Sequence, residues 1–402
     1  MARIRWIPGG VTAADGFVAA GVSAGIKRSR KPDMALVMSE EPAAAAATFT
    51  TNRIKAAPVV LSQRRLRRSR AQAVLLNSGC ANCLAGQAGV RDAVQLSQEV
   101  ARALDVPARQ VLVASTGIIG RRLPVPRMQR VVPELVRRLD RRGHHQAALG
   151  ILTTDTRAKE AAVFARLNGR HCHLGGMAKG AGMIAPSMAT MLCVLTTDVS
   201  MDRGLLSRLL REAVEASFNR ISVDGDMSTN DSVFLFANGR SGVRVRPGTA
   251  AARQFAAMLQ AVTQRLASLI VKDGEGATRV ARIEVTGART RVEARMCARQ
   301  VATSSLVRTM LASGDPNVGR IAAAAGASGA RFRAEALQIR INGRVVVSHG
   351  LAARIGKELA QRLLGPKEIR IHLDLHAGRE QAQMLACDLT ETYVRINAHY
   401  TT

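Results

Sequence analysis

Aromatic residues are scarce in this 402-residue chain, at 3% with a single tryptophan. That leaves few of the stacking platforms on which single-stranded nucleic acids are held. No zinc-finger or RNA-recognition signature is present either. No run approaches the roughly 18 apolar residues of a membrane helix. The opening MARIRWIPGG has no apolar core of a secretory signal, so the expected location is cytoplasmic. Internal repeats and low-complexity linkers are missing. The six cysteines, Cys80, Cys83, Cys172, Cys193, Cys297 and Cys387, are dispersed, and reduced thiols are expected. Cys80 and Cys83 have C-x-x-C spacing, and His171-Cys172-His173 completes a zinc set on paper. A structural zinc knuckle needs a second closely spaced pair, and on a strand those three residues alternate between faces. Metal is therefore not expected.

Acidic residues are also short, 30 against 58 Lys plus Arg, for a formal charge of +28. Such a balance calls for a rival reading, a basic nucleic-acid-binding protein, with Arg64-Arg65-Leu66-Arg67-Arg68 and Arg137-Arg138-Leu139-Asp140-Arg141-Arg142 on phosphates. The plainer reading makes these arginines the solvated faces of amphipathic helices. Hydrophobic residues make up 47% of the chain, which is globular composition. At this length two or three domains are expected.

Apolar periodicity places strands and helices in alternation. Strands are expected at 16–22, 34–38, 45–49, 71–76, 111–114, 161–165 and 191–195, then at 282–285, 338–341, 345–347 and 369–375. The proline of Ala56-Ala57-Pro58-Val59 reads as an edge or strand start. Helices are expected at 90–104, 205–218, 251–269, 301–311 and 351–364. Another spans 128–139, with Pro133 as a kink or true start and Gly143 as a stop. This pattern is α/β.

Several constellations carry chemistry, each beside a plainer reading. Ser115-Thr116-Gly117 at a strand end offers a hydroxyl and a backbone N–H to a developing oxyanion, or is an ordinary turn. Lys179, among glycines, suits a substrate carboxylate or is a surface lysine. Glu275 in Asp273-Gly274-Glu275-Gly276-Ala277-Thr278 suits an ammonium or is a solvated acidic turn. Asp224 and Asp226 read as a structural turn before a metal or acid–base pair. The stretch Gly350 to Lys357 fails as a phosphate loop on glycine spacing and on Glu358. The centre is Gly175 to Asp198. Its glycines permit close backbone approach, Pro186-Ser187 marks a turn, and Thr190 precedes a short apolar strand. No histidine follows nearby to take its proton. A chain break before the threonine would supply its own α-amine as base.

The segment Lys179 to Pro186 (KGAGMIAP), followed by Met188-Ala189-Thr190-Met191-Leu192, resembles the ornithine acetyltransferase (glutamate N-acetyltransferase) family of arginine biosynthesis. The resemblance runs from about Gly16 to Thr402. It includes Phe49-Thr50-Thr51-Asn52-Arg53, the S-T-G-x-I-G segment at Ser115 to Gly120, and Gly314-Asp315-Pro316-Asn317-Val318-Gly319-Arg320. Two departures stand out: Cys80 replaces an asparagine of the N-S-G-N-A-N turn, and Val318 replaces a tryptophan. The resemblance implies an α/β fold of layered sheets sandwiched with helices, of the self-processing N-terminal-threonine acyltransferase type. It implies cleavage between Ala189 and Thr190, giving an α fragment 1–189 and a β fragment 190–402. Thr190 would be the nucleophile and Thr116 with Gly117 the oxyanion hole. Thr156, Lys179, Thr190, Glu275, Asn397 and Thr402 would line the substrate site. The implied reaction moves acetyl from N-acetylornithine to glutamate in an α2β2 assembly without metal or organic cofactor, and leaves acetyl-CoA open as a co-substrate. A self-processing aminopeptidase-like amidohydrolase, or a paralogue with another acceptor, remains the alternative.

Overall fold

The computed structural model describes residues 4–67, 70–185 and 191–399. The chain opens with β1 (Arg5–Ile7), β2 (Phe17–Val22) and β3 (Met34–Phe49). The two strands expected at 34–38 and 45–49 are thus one, with an irregular register against its neighbour between Met38 and Ala43. Next come α1 (Ala57–Leu66), β4 (Ala71–Asn77), α2 (Gly86–Ala103), β5 (Val111–Ser115) and α3 (Val125–Arg137). Pro58 therefore starts a helix and not a strand. Its fixed φ suits the first turn, where a missing N–H costs nothing. Pro133 sits inside α3, which begins earlier than expected at Val125 and ends before Gly143.

The middle of the chain holds α4 (His144–Gly150), β6 (Lys159–Leu167), β7 (Arg170–Lys179), β8 (Leu192–Thr197), α5 (Arg203–Glu215), β9 (Ile221–Ser222), β10 (Ser232–Ala237) and α6 (Ala250–Lys272). The remainder holds β11 (Val280–Ala288), α7 (Arg291–Thr303), α8 (Ser305–Ser313), α9 (Val318–Gly326), β12 (Gln338–Ile341), β13 (Arg344–Ser348), β14 (Leu351–Ala352), α10 (Lys357–Leu364), β15 (Glu368–Asp374), β16 (Glu380–Cys387) and α11 (Glu391–His399). The helix expected at 301–311 is two, because Ser304 leaves helical geometry and caps α8 by accepting from the Val307 N–H. Of the helix expected at 351–364, only the second half forms.

The first sheet runs β1-β6-β7-β8-β10-β3-β4-β5, with β2 beside β3. The long strand β3 serves two parts of it, pairing with β10 through its last six residues and with β2 and β4 through its first half. Three apolar cores show the resulting layers. Leu61, Leu96, Val100, Met128 and Leu135 of α1 to α3 pack on Leu36, Leu75 and Val113. Phe17, Val37, Leu76, Leu192, Val194, Phe234 and Phe236 fill the space between the sheet's two parts. On the far side Cys193, Leu195 and Leu235 meet Leu206 and Leu210 of α5 and Phe255, Leu259 and Leu266 of α6. Along β8 successive residues alternate between these two cores, as a doubly buried strand must. The order is helices, sheet, sheet, helices, an α/β sandwich as expected.

A second sheet, β14-β13-β12-β15-β11-β16-β9, carries α7 to α9 over its own core of Ile283, Val285, Val301, Met310, Ile321, Ile339 and Ile371. Val318 lies in this core at 7% exposure, against a cavity of about 410 Å³. Space is thus left where the resembling family carries tryptophan.

Strand order matters most for the site. β8 and β10, which follow residue 190, lie between β7 and β3, which precede it. They are parallel, with Leu192 opposite Ser232. Ser232 N–H also donates to the Met191 carbonyl at 3.1 Å, so residue 191 starts beside residue 231.

Candidate active site

One cleft of about 150 Å³ collects most of the residues singled out above. It is lined by Thr116, Gly117, Lys179, Glu275 and Asn397, joined by Thr153, Thr154, Gly182 and Asn230 among others. These come from six places in the chain. Ala189, Thr190 and Thr402 lie outside the described residues.

Thr116 and Gly117 follow β5 directly. Thr116 N–H donates to the Asn77 carbonyl at 2.9 Å, and Thr116 and Ile118 both bridge to Cys80. Gly117 has φ +126, and a β-carbon there would lie 2.4 Å from the Gly79 carbonyl carbon, so glycine is required. Backbone is thereby pressed against backbone, and the Gly117 N–H is left without a protein acceptor among the described residues. The Thr116 hydroxyl likewise makes no protein hydrogen bond among them. Two unspent donors on one cleft wall are what an oxyanion needs. Cys80 does not disturb this turn: its carbonyl accepts the Asn77 side-chain N–H at 3.0 Å, and Asn82 reaches the Gly89 carbonyl at 2.9 Å. Asn230 clamps the same wall by donating to the carbonyls of Ala81 at 2.6 Å and Ser115 at 2.8 Å.

The charged lining has an electrostatic foundation that the sequence did not disclose. Lys179 ends β7 with its side chain 2% exposed, donating to the Thr153 hydroxyl at 2.7 Å and lying 3.8 Å from Asp155. Behind it Lys159 bridges Asp155 and Asp273, each at 2.6 Å, and all three side chains are at most 3% exposed. Two cations and two anions thus neutralise one another out of water, which removing any one would undo. Burial alone would raise the Asp155 carboxyl, but the two lysines outweigh it and hold it well below the usual carboxylate range. Burial lowers the Lys179 ammonium, with Asp155 opposing. Asp155 also accepts from the Gly180 N–H at 2.7 Å, fixing the glycine-rich approach. Asp155 and Lys159 stand four apart, but on a loop and a strand and not on a helix, so their spacing announced nothing.

Thr156 is placed elsewhere. It is exposed, and its N–H and hydroxyl both engage Asp273, the N–H at 3.1 Å. Its neighbours Thr153 and Thr154 line the cleft instead.

Glu275 is 8% exposed and accepts from Asn397 Nδ2 at 2.7 Å, while its own N–H donates to the Ala181 carbonyl at 2.8 Å. One carboxylate oxygen remains for an ammonium. A β-carbon on Gly182 would come 2.5 Å from this carboxyl, so the glycine is needed for the carboxylate to reach the cleft. Helix α11 delivers Asn397. A cation, Lys179, and an anion, Glu275, then face one small cavity, a pattern suited to an amino acid's own carboxylate and ammonium.

The remaining groupings are structural. Asp224 accepts from the N–H groups of Met183, Ile184 and Asp226 and from the Tyr393 hydroxyl, closing the loop beneath Gly182. Cys172 lies in the core under α5 and α6, whereas Cys80 and Cys83 lie in two other cores. Among the described residues one trio, Asp15, His173 and Asp198, brings three ligand atoms together. Asp198 is occupied by His173 at 2.6 Å, and Asp15 by Arg141. Arg65 is not wholly solvated as expected, since it donates to Ser97 at 2.7 Å. Arg137, Arg138, Arg141 and Arg142 are exposed on their helix end. No helix among the described residues is long and apolar enough to cross a membrane.

With this geometry in view, comparisons with known proteins converge. The sequence model of the ArgJ family matches residues 18–402. An arginine biosynthesis bifunctional protein ArgJ of Symbiobacterium thermophilum is 44% identical, with 99% of this chain and 100% of that protein aligned. Its counterpart from Synechococcus is 43% identical over the whole of both. Among solved structures, an ornithine acetyltransferase complexed with ornithine from Mycobacterium tuberculosis is 41% identical. It covers 47% of this chain and 100% of that chain at a TM-score of 0.43. The arginine biosynthesis bifunctional protein ArgJ of Bacillus halodurans is 34% identical, over 48% and 100%, at 0.45.

Proposed function

The chain belongs to the ArgJ family, and from that premise we propose that it is a glutamate N-acetyltransferase of arginine biosynthesis. Acetyl moves from N-acetylornithine to glutamate through an ester on Thr190. The chain first cuts itself between Ala189 and Thr190, giving fragments 1–189 and 190–402 that stay together as α2β2 in the cytoplasm. The observation that carries this reading is the single cleft in which Thr116, Gly117, Lys179 and Glu275 meet.

After the cut, the Thr190 α-amine has a reference pKa of about 7.7–8.0 and is partly neutral near pH 7. It takes the hydroxyl proton as Oγ bonds to the acetyl carbonyl carbon. The Thr116 hydroxyl and Gly117 N–H donate to the oxygen that becomes negative, and need no rearrangement to do so. The adduct expels ornithine, whose nitrogen recovers the proton from the α-ammonium. Glutamate then enters the same cleft and its neutral amine attacks the ester carbonyl, again over the oxyanion donors; the C–Oγ bond breaks, the amine's proton passes through the α-amine to Oγ, and N-acetylglutamate leaves. This is a ping-pong exchange. Lys179 holds the α-carboxylate common to both amino acids, and Glu275 pairs with the ornithine ammonium that is not acetylated. Thr153 and Thr154 supply hydroxyls beside Lys179, and Thr156 acts from behind them through Asp273. No metal or organic cofactor enters these steps.

The test is the intact mass of the denatured protein followed by a transfer assay. Two pieces, the second beginning at Thr190, with acetyl passing from N-acetylornithine to glutamate, are expected. Acetyl released to water instead would favour the amidohydrolase reading, and acetyl-CoA offered alone tests the second donor.

A further inference from the structure

The proposed cut poses a problem that the mature reaction does not. In the whole chain the Thr190 nitrogen belongs to the scissile amide and cannot act as a base. Another group must take the hydroxyl proton and return it to the departing nitrogen. Among the described residues lining the cleft there is no histidine. Lys179 is held by Thr153 and Asp155 as an ammonium, which has no lone pair to take a proton, and Glu275, with one oxygen on Asn397, keeps its other for the substrate ammonium in the proposed reaction.

Asp231 meets the need from the other side. It is wholly buried, at the start of β10, where the parallel register sets it beside residue 191. Oδ1 accepts from the Met191 N–H at 2.9 Å. Oδ2 has no partner at hydrogen-bond distance among the described residues, although the Ser228 hydroxyl stands near enough to the carboxyl to favour its charge. A buried oxygen left unpaired costs free energy and asks for an explanation. Position supplies one. In any peptide a residue's nitrogen lies under about 3 Å from the preceding α-carbon, so the carboxyl is anchored on the peptide unit that follows Thr190. The backbone holds it there, since its carbonyl accepts from the Thr50 N–H at 3.1 Å and Asn230 next to it is clamped.

We propose that Asp231 is the general base, and then the general acid, of the self-cleavage between Ala189 and Thr190, an inference that rests on the reading that the chain cuts itself. The Asp231 carboxylate removes the Thr190 hydroxyl proton as Oγ bonds to the Ala189 carbonyl carbon. The adduct breaks its C–N bond, and the Asp231 carboxyl returns that proton to the nitrogen. An ester and a free amine result, with Asp231 ionised again. Water then divides the ester into the Ala189 carboxylate and the Thr190 hydroxyl. Burial pushes this carboxyl up to about 8, against the Met191 N–H, the positive charge of Lys179 and the nearby Ser228 hydroxyl. It is therefore a stronger base than an ordinary carboxylate and still a usable acid near neutrality.

The experiment makes the whole chain by cell-free synthesis at fixed pH, quenches samples in denaturant and counts cut chains by intact mass. For the wild-type chain the rate should rise about tenfold per pH unit up to about pH 7 and level off above about 8. Asp231→Asn keeps the size and an oxygen for the Met191 N–H but cannot exchange the proton. It should fold, melt no lower than the uncut Thr190→Ala chain, and cut at least about 100-fold more slowly. A merely positioning role would leave Asp231→Asn cutting at close to the wild-type rate, and that result overturns the proposal. So does a wild-type rate that is flat between about pH 6 and 8, which decides the matter even if the variant does not fold. A wild-type chain that never cuts removes the parent reading instead, a separate outcome.

Discussion

Replacing Thr116 by valine isolates one of the two oxyanion donors. Valine reproduces the branched shape and removes only the hydroxyl, which has no protein partner among the described residues to be orphaned. The backbone that fixes this position, through Asn77 and Cys80, is untouched. Stability should therefore move by less than about 1 kcal/mol. The reaction should suffer far more. Two donors face the cleft, and losing one such donor costs about 2.7–4 kcal/mol of transition-state stabilisation, or about 100- to 1000-fold in kcat. The Gly117 N–H remains and keeps activity above zero. Because the ground-state carbonyl is held less tightly than the oxyanion, KM should hardly change. The assay measures acetyl transfer from N-acetylornithine to glutamate, with rates referred to the fraction of chains found cut by mass. A kcat within about threefold of wild type, or a loss confined to KM, would refute the assignment. Gly117→Ala is the poorer experiment, since its β-carbon collides with Gly79 whatever the chemistry.

In the uncut Thr190→Ala background, Lys159→Met should destabilise the chain by about 3–5 kcal/mol, because Asp155 and Asp273 are then left buried without their shared cation; the midpoint of urea unfolding measures this, and a shift below about 1 kcal/mol would show the network to be dispensable. Gly182→Ala should push Glu275 off Asn397 and raise KM for N-acetylornithine about tenfold or more while kcat changes less. A Thr190→Ala chain should lose stability as pH rises from about 5 to 7. The Asp231 carboxyl has an ordinary value of 3.8 and a folded value of about 8. Between these the folded state keeps a proton that the unfolded chain has released, so stability falls by up to about 1.4 kcal/mol per pH unit. Adding Asp231→Asn to the same background should remove that component of the slope, read from urea midpoints at each pH.

Local pattern carried the fold well where one signal dominated. The doubly buried β8 and the long amphipathic α6 were legible from apolar runs alone. Pro58 was misread because proline suits a strand edge and a helix's first turn equally, and only the burial of Pro58, Leu61, Ser62 and Leu66 at helical spacing decides between them. The paired strands expected within 34–49 are one because β3 must reach both parts of the sheet, a demand made by partners far along the chain. The site divides the same way. Thr116, Gly117, Lys179, Glu275 and Asn397 were legible through motifs that a known family shares. The network behind Lys179 was not, since Asp155 and Asp273 stand 118 positions apart and meet only when Lys159 is folded between them. Asp231 looked like one more residue of a polar loop. Its meaning comes from the parallel register of β8 and β10, which no local pattern announces.

That interleaving of β8 and β10 between β7 and β3 bears on what a cut does to the molecule's later life. Before it, folding is a first-order event within one polypeptide. After the proposed cut the same folded object would be a complex of two pieces, and reassembly would depend on their concentration. Neither piece holds the sheet alone: without its partner each would present unpaired central strands, the kind of surface that aggregates. The uncut precursor should therefore refold from urea at any dilution, whereas the mature protein should recover poorly and less so as it is diluted. The proposed cut would thus make assembly a one-time event.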